Sequence, residues 1–313
     1  MVVFLEKILL VGLDNSGKTS TIYILQRKFS LLTNIKPTIK YNRTSFHILG
    51  MELTIFDLGG QEKYREEHLK TPIFNGTHLL FYIIDMQDSN RFIEVLSYLE
   101  RILENYKNLN YFPKIIIFLH KMDPDIIKDL KIIENEAKLK YDILQVLNKF
   151  QTNIEIEFFR TTIYDEISII SAFSTSLLKI NKKSNIITNV LKEFCNKTFS
   201  SVVLLLDENS FIIGSYANEE NEKYIELCKT VAPRFTIVME KMEKFEVNIE
   251  NIIINVQGSL DDKAFIFIRS FVIDENSISY VVSLSKNNKT IQLCLNYLPN
   301  LAENLKNFLN SFI

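Results

Sequence analysis

The chain has 313 residues, enough for two domains that each bury a core. An apolar content of 47%, a charged content of 24% and a net charge of −2 describe an ordinary globular protein and exclude a dedicated electrostatic surface for nucleic acid. The longest apolar runs, such as 79–84 and 115–119, are strand-sized and exclude a membrane span, and three widely spaced cysteines (Cys195, Cys228, Cys294) read as reduced core residues, neither disulfides nor zinc ligands.

In chain order, a predicted strand at 7–12 runs into Gly12-Leu13-Asp14-Asn15-Ser16-Gly17-Lys18-Thr19, a complete G-x-x-x-x-G-K-[ST] loop that opens a helix. Its glycines let successive N–H groups turn inward toward phosphate oxygens, and the helix N-terminus adds its dipole. Backbone groups of Asp14, Asn15, Ser16, Gly17, Lys18 and Thr19, with Ser20 beside them, are the predicted phosphate cradle. Lys18 can reach the terminal phosphates, and the Thr19 hydroxyl can coordinate Mg²⁺. Thr38, after Pro37, fits a second hydroxyl that completes the Mg²⁺ shell when a γ-phosphate is present.

Predicted strands at 44–49 and 52–58 follow, the second ending in Asp57-Leu58-Gly59-Gly60-Gln61. Asp57 is expected to hold Mg²⁺ through a water, Gly60 to bring its N–H to the γ-phosphate, and Gln61 to orient the attacking water. Strands at 79–85 and 114–119 come next, and the latter delivers His120-Lys121-Met122-Asp123. The Asp123 carboxylate can accept from both N1–H and the 2-amino group of guanine, which adenine lacks, while the Lys121 stem can lie over the base. His120 is expected beside the nucleotide as one of the binding residues, a packed histidine without an acid–base role. A stripe of Ile126, Leu130, Ile133, Leu139, Ile143, Leu144 and Leu147 over 125–150 predicts a helix with these residues facing the core. A last strand at 154–160 precedes Thr162 and Ile163, whose backbone N–H groups can meet guanine O6. The alternation predicts an α/β domain with a mainly parallel sheet and the motifs at its carboxyl edge.

The polar break at 181–185 is the predicted boundary between domains at 1–183 and 184–313. Beyond it the order is helix (186–197), strands (202–206, 211–216), helix (220–242), strands (252–257, 263–272, 277–284) and a final helix (291–312), with turns at Asp207–Ser210, Asp261-Asp262 and Asp274–Asn276. Pro299 either kinks or restarts that last helix. This is an α+β domain with five strands and no catalytic constellation. Neither end carries a signal peptide or a lipidation motif, so a cytoplasmic location is expected, with any approach to a membrane surface made through a partner.

Gly12-Leu13-Asp14, Pro37-Thr38 and Asp57-Leu58-Gly59-Gly60-Gln61 resemble the Arf branch of small GTPases. His120-Lys121-Met122-Asp123, with His where most small GTPases carry Asn, is similar to the Rag/Gtr GTPases, and so is Phe159-Arg160-Thr161-Thr162-Ile163-Tyr164-Asp165-Glu166. The motifs mix features of the A-type and C-type subunits of that family. The resemblance implies a GTP/GDP switch with Mg²⁺ as cofactor and a C-terminal roadblock/longin-like domain that pairs. A homodimer, or a heterodimer with a Rag-like subunit, is expected through residues 184–313. It also implies a roadblock-type scaffold, activating and exchange proteins, and a TOR-type nutrient pathway. No arginine finger is evident in the sequence, so hydrolysis is expected to be slow without an activating protein. A second reading, a nucleotide-loaded dimeric scaffold in which hydrolysis is incidental, uses the same residues.

Overall fold

Runs of Ile, Leu, Val and Phe build the centres of two compact units in the computed structural model, which describes residues 5–48, 51–150, 154–180, 184–243, 245–247, 249–257, 263–274, 277–287 and 289–310. Contacts assign Val2–His47 and Met51–Ala172 to the first unit and Phe173–Ile313 to the second, with few exceptions. That division falls inside a helix (Glu166–Ile180), whereas the sequence boundary at 183/184 adjoins residues 181–183, outside the described residues.

The first unit holds β1 (Leu5–Val11), β2 (Tyr41–Ile48), β3 (Met51–Leu58), β4 (Leu79–Asp85), β5 (Lys114–His120) and β6 (Ile156–Arg160) in the order β2-β3-β1-β4-β5-β6. The pairings of β1 with β3 and β4, of β4 with β5, and of β5 with β6 are all parallel. Interleaved with them are α1 (Lys18–Leu25), α2 (Glu62–Leu69), α3 (Phe92–Asn108) and α4 (Leu130–Asn148), and α5 (Glu166–Ile180) follows β6, its residues from Phe173 on falling to the second unit. Leu9, Val11, Leu80, Tyr82, Ile84, Ile115, Ile117 and Leu119 meet α3 and α4 on one face. Their neighbours Ile8, Leu10, Leu79, Phe81, Ile83, Ile116 and Phe118 are buried on the other. Burial on both faces is why these strands read as continuous apolar runs without alternation.

α4 corrects one expectation. It starts at Leu130, capped by the Asp129 carboxylate on the Lys131 N–H at 2.8 Å, so Ile126 precedes the helix. Leu139, Ile143 and Leu147 are buried as expected, but Leu130, Ile133 and Leu144 are exposed. The buried face instead follows Ile132, Glu136, Leu139, Ile143 and Val146 at three- and four-residue steps. Glu136 is tolerated there because Arg160 (2.8 Å) and Lys140 (2.6 Å) pair with it.

The second unit follows the predicted order: α6 (Ser184–Thr198), β7 (Val202–Asp207), β8 (Ile212–Ala217), α7 (Lys223–Glu243), β9 (Asn251–Gln257), β10 (Lys263–Asp274), β11 (Ser277–Ser285) and α8 (Thr290–Asn310). Its sheet runs β8-β7-β11-β10-β9 with every neighbour antiparallel. Cys228, Ala232 and Met239 of α7 pack on Val202, Leu204, Leu206, Ile266, Ile268 and Val282. The Asp207–Ser210 turn is closed by the Asp207 carboxylate, which accepts from the N–H groups of Asn209 (2.9 Å) and Phe211 (2.8 Å). Pro299 sits inside an uninterrupted α8, and α7 likewise runs through Pro233. The expected turn at Asp261-Asp262 and the Glu275-Asn276 part of the next turn lie outside the described residues, as do the predicted helix end at Phe312 and the strand end at 49. Cys195, Cys228 and Cys294 are buried and unbridged. Among the described residues, no helix is long and apolar enough to cross a membrane.

Candidate nucleotide-binding site

β1 ends at Val11 and α1 begins at Lys18, so the loop between them hangs over the carboxyl edge of the parallel sheet, where α/β sheets take their ligands. A cavity of about 300 Å³ opens there. Asp14, Asn15, Gly17, Lys18, Thr19, Ser20, Thr38, Gly60, Gln61 and Lys121 line it, all expected from the sequence, together with Ile35, Lys36 and Pro37. Ser16, within the loop, is buried and accepts from the Lys18 ammonium at 3.3 Å.

Lys18 also donates to the Leu13 carbonyl. Burial pulls its ammonium down to about 8, against the opposing charges of Asp57 and Asp14. A cation so placed gains most from an arriving anion. Asp57, also buried, has its carboxyl pushed up by desolvation, with Lys18 and then the Thr19 and Thr38 hydroxyls working the other way. Thr19 donates to Asp57 Oδ2 at 2.7 Å and Thr38 to the same oxygen at 3.2 Å, and the two hydroxyls stand 3.1 Å apart. The other carboxylate oxygen, Oδ1, is buried and accepts from nothing among the described residues. Two hydroxyls and an unsatisfied carboxylate oxygen at the phosphate end form a donor set suited to Mg²⁺.

Two glycines set the close approaches. Gly17 has φ +96°, and a Cβ there would overlap the His120 ring. A Cβ on Gly60 would strike the backbone of Leu13 and Asp14, so the Gly59-Gly60 step lies directly on the phosphate loop. Gln61 starts α2 without spending its side chain on a cap, and it remains in the cavity wall. The segment after Thr38 is tied to α2, because the Lys40 carbonyl accepts from Gly59 N–H at 2.6 Å and contacts His68 Nε2 at 3.0 Å.

His120, Asp123, Thr162 and Ile163 do not line that cavity. His120 is buried with Nδ1 2.9 Å from Thr161 Oγ1, and burial, reinforced by the Lys121 charge, holds it down to about 4. It is a neutral ring wedged between the phosphate loop and the strand end after β6. The Asp123 carboxylate accepts from the Thr162 hydroxyl through Oδ1, and from Gln87 Nε2 through Oδ2 at 2.7 Å. The Thr162 N–H donates to Ser168 Oγ at 3.1 Å, so within Thr162 it is the hydroxyl that reaches the Asp123 carboxylate. Ile163 follows half-buried, and the Lys121 ammonium pairs with Asp85 at 2.6 Å. Sequence reasoning missed Gln87, Ser168 and Arg91, which belong to no motif and reach the site only through folding. Arg91 sits 2.8 Å from Asp14 Oδ1.

The model for the Gtr1/RagA G protein conserved region matches residues 7–253. The chain belongs to the Gtr1/RagA family of G proteins. Among curated relatives it is 25% identical over 252 residues to Ras-related GTP-binding protein A of Dictyostelium discoideum, covering 76% of this chain and 79% of that one. It is 31% identical over 117 residues to ADP-ribosylation factor F of the same organism, covering 37% and 60% respectively. Among solved structures, the Arl6 BBS3 small GTPase of Trypanosoma brucei with bound GppNp aligns with 57% of this chain and 99% of its own at a TM-score of 0.45 and 20% identity.

Proposed function

We propose that this Gtr1/RagA protein is a guanine-nucleotide switch that hydrolyses GTP to GDP slowly and signals through nucleotide-dependent partner binding. The carrying observation is the convergence of Thr19 and Thr38 on one Asp57 oxygen beside Lys18, with the other oxygen unsatisfied. Bound Mg²⁺ would be held by the Thr19 and Thr38 hydroxyls, with Asp57 behind a water, and would supply neutralisation of phosphate charge. Lys18 and the N–H groups of residues 14–19 bind the phosphates. Asp123 selects guanine, Gly60 donates to the γ-phosphate, and Gln61 orients the attacking water. Loss of the γ-phosphate removes the contacts that order the segments around Thr38 and Gln61, which alters the surface offered to a partner. Turnover stays slow until an activating protein supplies a transition-state cation.

Gln61→Leu tests this reading. Hydrolysis in the purified chain should fall at least about tenfold, and partner binding should become independent of GTP consumption. An unchanged rate would remove Gln61 from the mechanism. Residues 1–183 act as the switch and residues 184–313 as a roadblock/longin-like pairing domain. Met242, Phe245, Val247 and Ile253 of the second unit are exposed apolar side chains that such pairing would cover. They would be covered equally in the reading in which the dimer is a scaffold and hydrolysis is incidental. Light scattering with GDP and with a non-hydrolysable GTP analogue is expected to give the mass of a dimer; a monomer in both would assign the pairing to a different, Rag-like subunit. Exchange factors and a roadblock scaffold complete the proposed partners. A cytoplasmic location with partner-mediated approach to a membrane surface, in a TOR-type nutrient pathway, completes the reading.

A further inference from the structure

The phosphate cavity has a negative charge in its own wall. Asp14 lines it and acts with Asp57 on the charge of Lys18, so its carboxylate lies within electrostatic reach of the terminal phosphates. The γ-phosphate, at the end marked by Thr38, Gly60 and Gln61, brings charge of the same sign. Left alone, Asp14 would oppose GTP more than GDP, because only GTP adds charge at that end.

Asp14 is not left alone. Arg91, just ahead of α3, places Nη2 2.8 Å from Asp14 Oδ1 and Nη1 3.4 Å from the Asp14 carbonyl. The guanidinium is fixed from its other side by Glu94, through Nε to Oε2 at 2.8 Å and Nη2 to Oε1 at 3.1 Å. Glu94 is held in turn by Arg65 of α2, whose buried guanidinium lies 5.0 Å from the centre of the Tyr98 ring. Two guanidinium groups and two carboxylates thus alternate between the phosphate loop, α3 and α2. A planar fork bonded on both edges keeps one orientation better than a flexible ammonium would.

We propose that Arg91 is a positioning residue for nucleotide discrimination: it draws the Asp14 carboxylate aside and cancels its charge at the γ-phosphate end, so that GTP is accepted alongside GDP. The inference rests on the guanine-nucleotide reading above and adds to it a residue outside the motifs.

The test is the ratio of affinities for a fluorescent non-hydrolysable GTP analogue and fluorescent GDP, titrated on the full chain with Mg²⁺ present. In Arg91→Ala the ratio should fall about tenfold, the scale for one uncompensated, half-exposed charge acting on the γ-phosphate through a high, water-like effective dielectric. The fall should shrink in high salt, because the Asp14 side chain is 48% exposed. Arg91→Lys should recover part of it, and Asp14→Asn added to Arg91→Ala should restore the ratio. Should Arg91→Ala fail to fold, Asp14→Asn alone serves, with an expected rise in the ratio. An unchanged ratio in Arg91→Ala, a loss that Asp14→Asn does not restore, or no rise in Asp14→Asn alone would overturn the proposal while leaving guanine-nucleotide binding intact. An unaltered chain that bound neither nucleotide would overturn both.

Discussion

Replacing Asp123 with asparagine is expected to exchange the preferred base, raising the preference for xanthosine triphosphate over GTP by roughly 10³-fold relative to the parent chain. Guanine presents two donors, N1–H and its 2-amino group, and a carboxylate accepts both. Asparagine offers one acceptor and one donor, which leaves a guanine donor facing an N–H but matches the C2 carbonyl of xanthine. The structure adds that the carboxylate arrives already oriented. Oδ1 takes the Thr162 hydroxyl, and Oδ2 takes Gln87 Nε2, which also donates to the Lys121 carbonyl at 3.0 Å. The Gln87 amide occupies an acceptor that the base would use, and, being exposed, it can turn away at little cost. Competition titrations of GTP and XTP against the same fluorescent probe measure the exchange. An unaltered preference for GTP in Asp123→Asn would put the base pocket somewhere else.

Lys18→Met is expected to weaken nucleotide binding by roughly 10³-fold, the range for removing one member of a buried charge pair. It should not destabilise the nucleotide-free chain in proportion. Lys18 is 6% exposed and its ammonium is drawn down to about 8 by burial, so in the absence of phosphate it is held there at some cost. Between pH 8 and the unfolded value of 10.5, the unfolded chain binds more protons than the folded one. Stability of the nucleotide-free chain should therefore gain a contribution as pH rises across that window. Nucleotide affinity should move the opposite way. The complex keeps the ammonium charged, and above about pH 8 the free chain must first recover a proton. Calorimetric titrations and urea midpoints from pH 7 to 10 give both slopes, and Lys18→Met should flatten both. Affinity that stays constant through pH 9 in the parent chain would mean that Lys18 does not meet the phosphates as an ammonium.

The G-x-x-x-x-G-K-[ST] loop, the acid-Gly-Gly-Gln step and His-Lys-Met-Asp are contiguous, so each carries its own chemistry and its place at a strand end. Eight of the ten expected residues that line the cavity belong to these motifs; Ser20 and Thr38 are the other two. The helix-strand-strand-helix-strand-strand-strand-helix order of the second unit was equally legible, because its strands are apolar runs separated by polar turns. The apolar stripe of α4 was not. Leu130, Ile133 and Leu144 share the composition of the buried residues but stand round the helix from them, while Glu136 enters the buried face because two cations meet it. Hydrophobicity alone does not decide a face when a charged residue brings its own partners.

By itself, then, the sequence determined which atoms could hold phosphate, cation and base, because those atoms are set by residue type and by short spacings along a strand and the turn after it. Only the tertiary structure decided how they are compensated. Thr38 donates to the Asp57 oxygen that Thr19 also reaches, across 19 residues. Gln87 reaches Asp123 across 36 residues, and Arg91 reaches Asp14 across 77. Hydrogen bonds act over a few ångströms and charges over somewhat more, but both act through space, whatever the separation along the chain. A residue such as Arg91, which carries no motif, therefore gains its role from the fold alone.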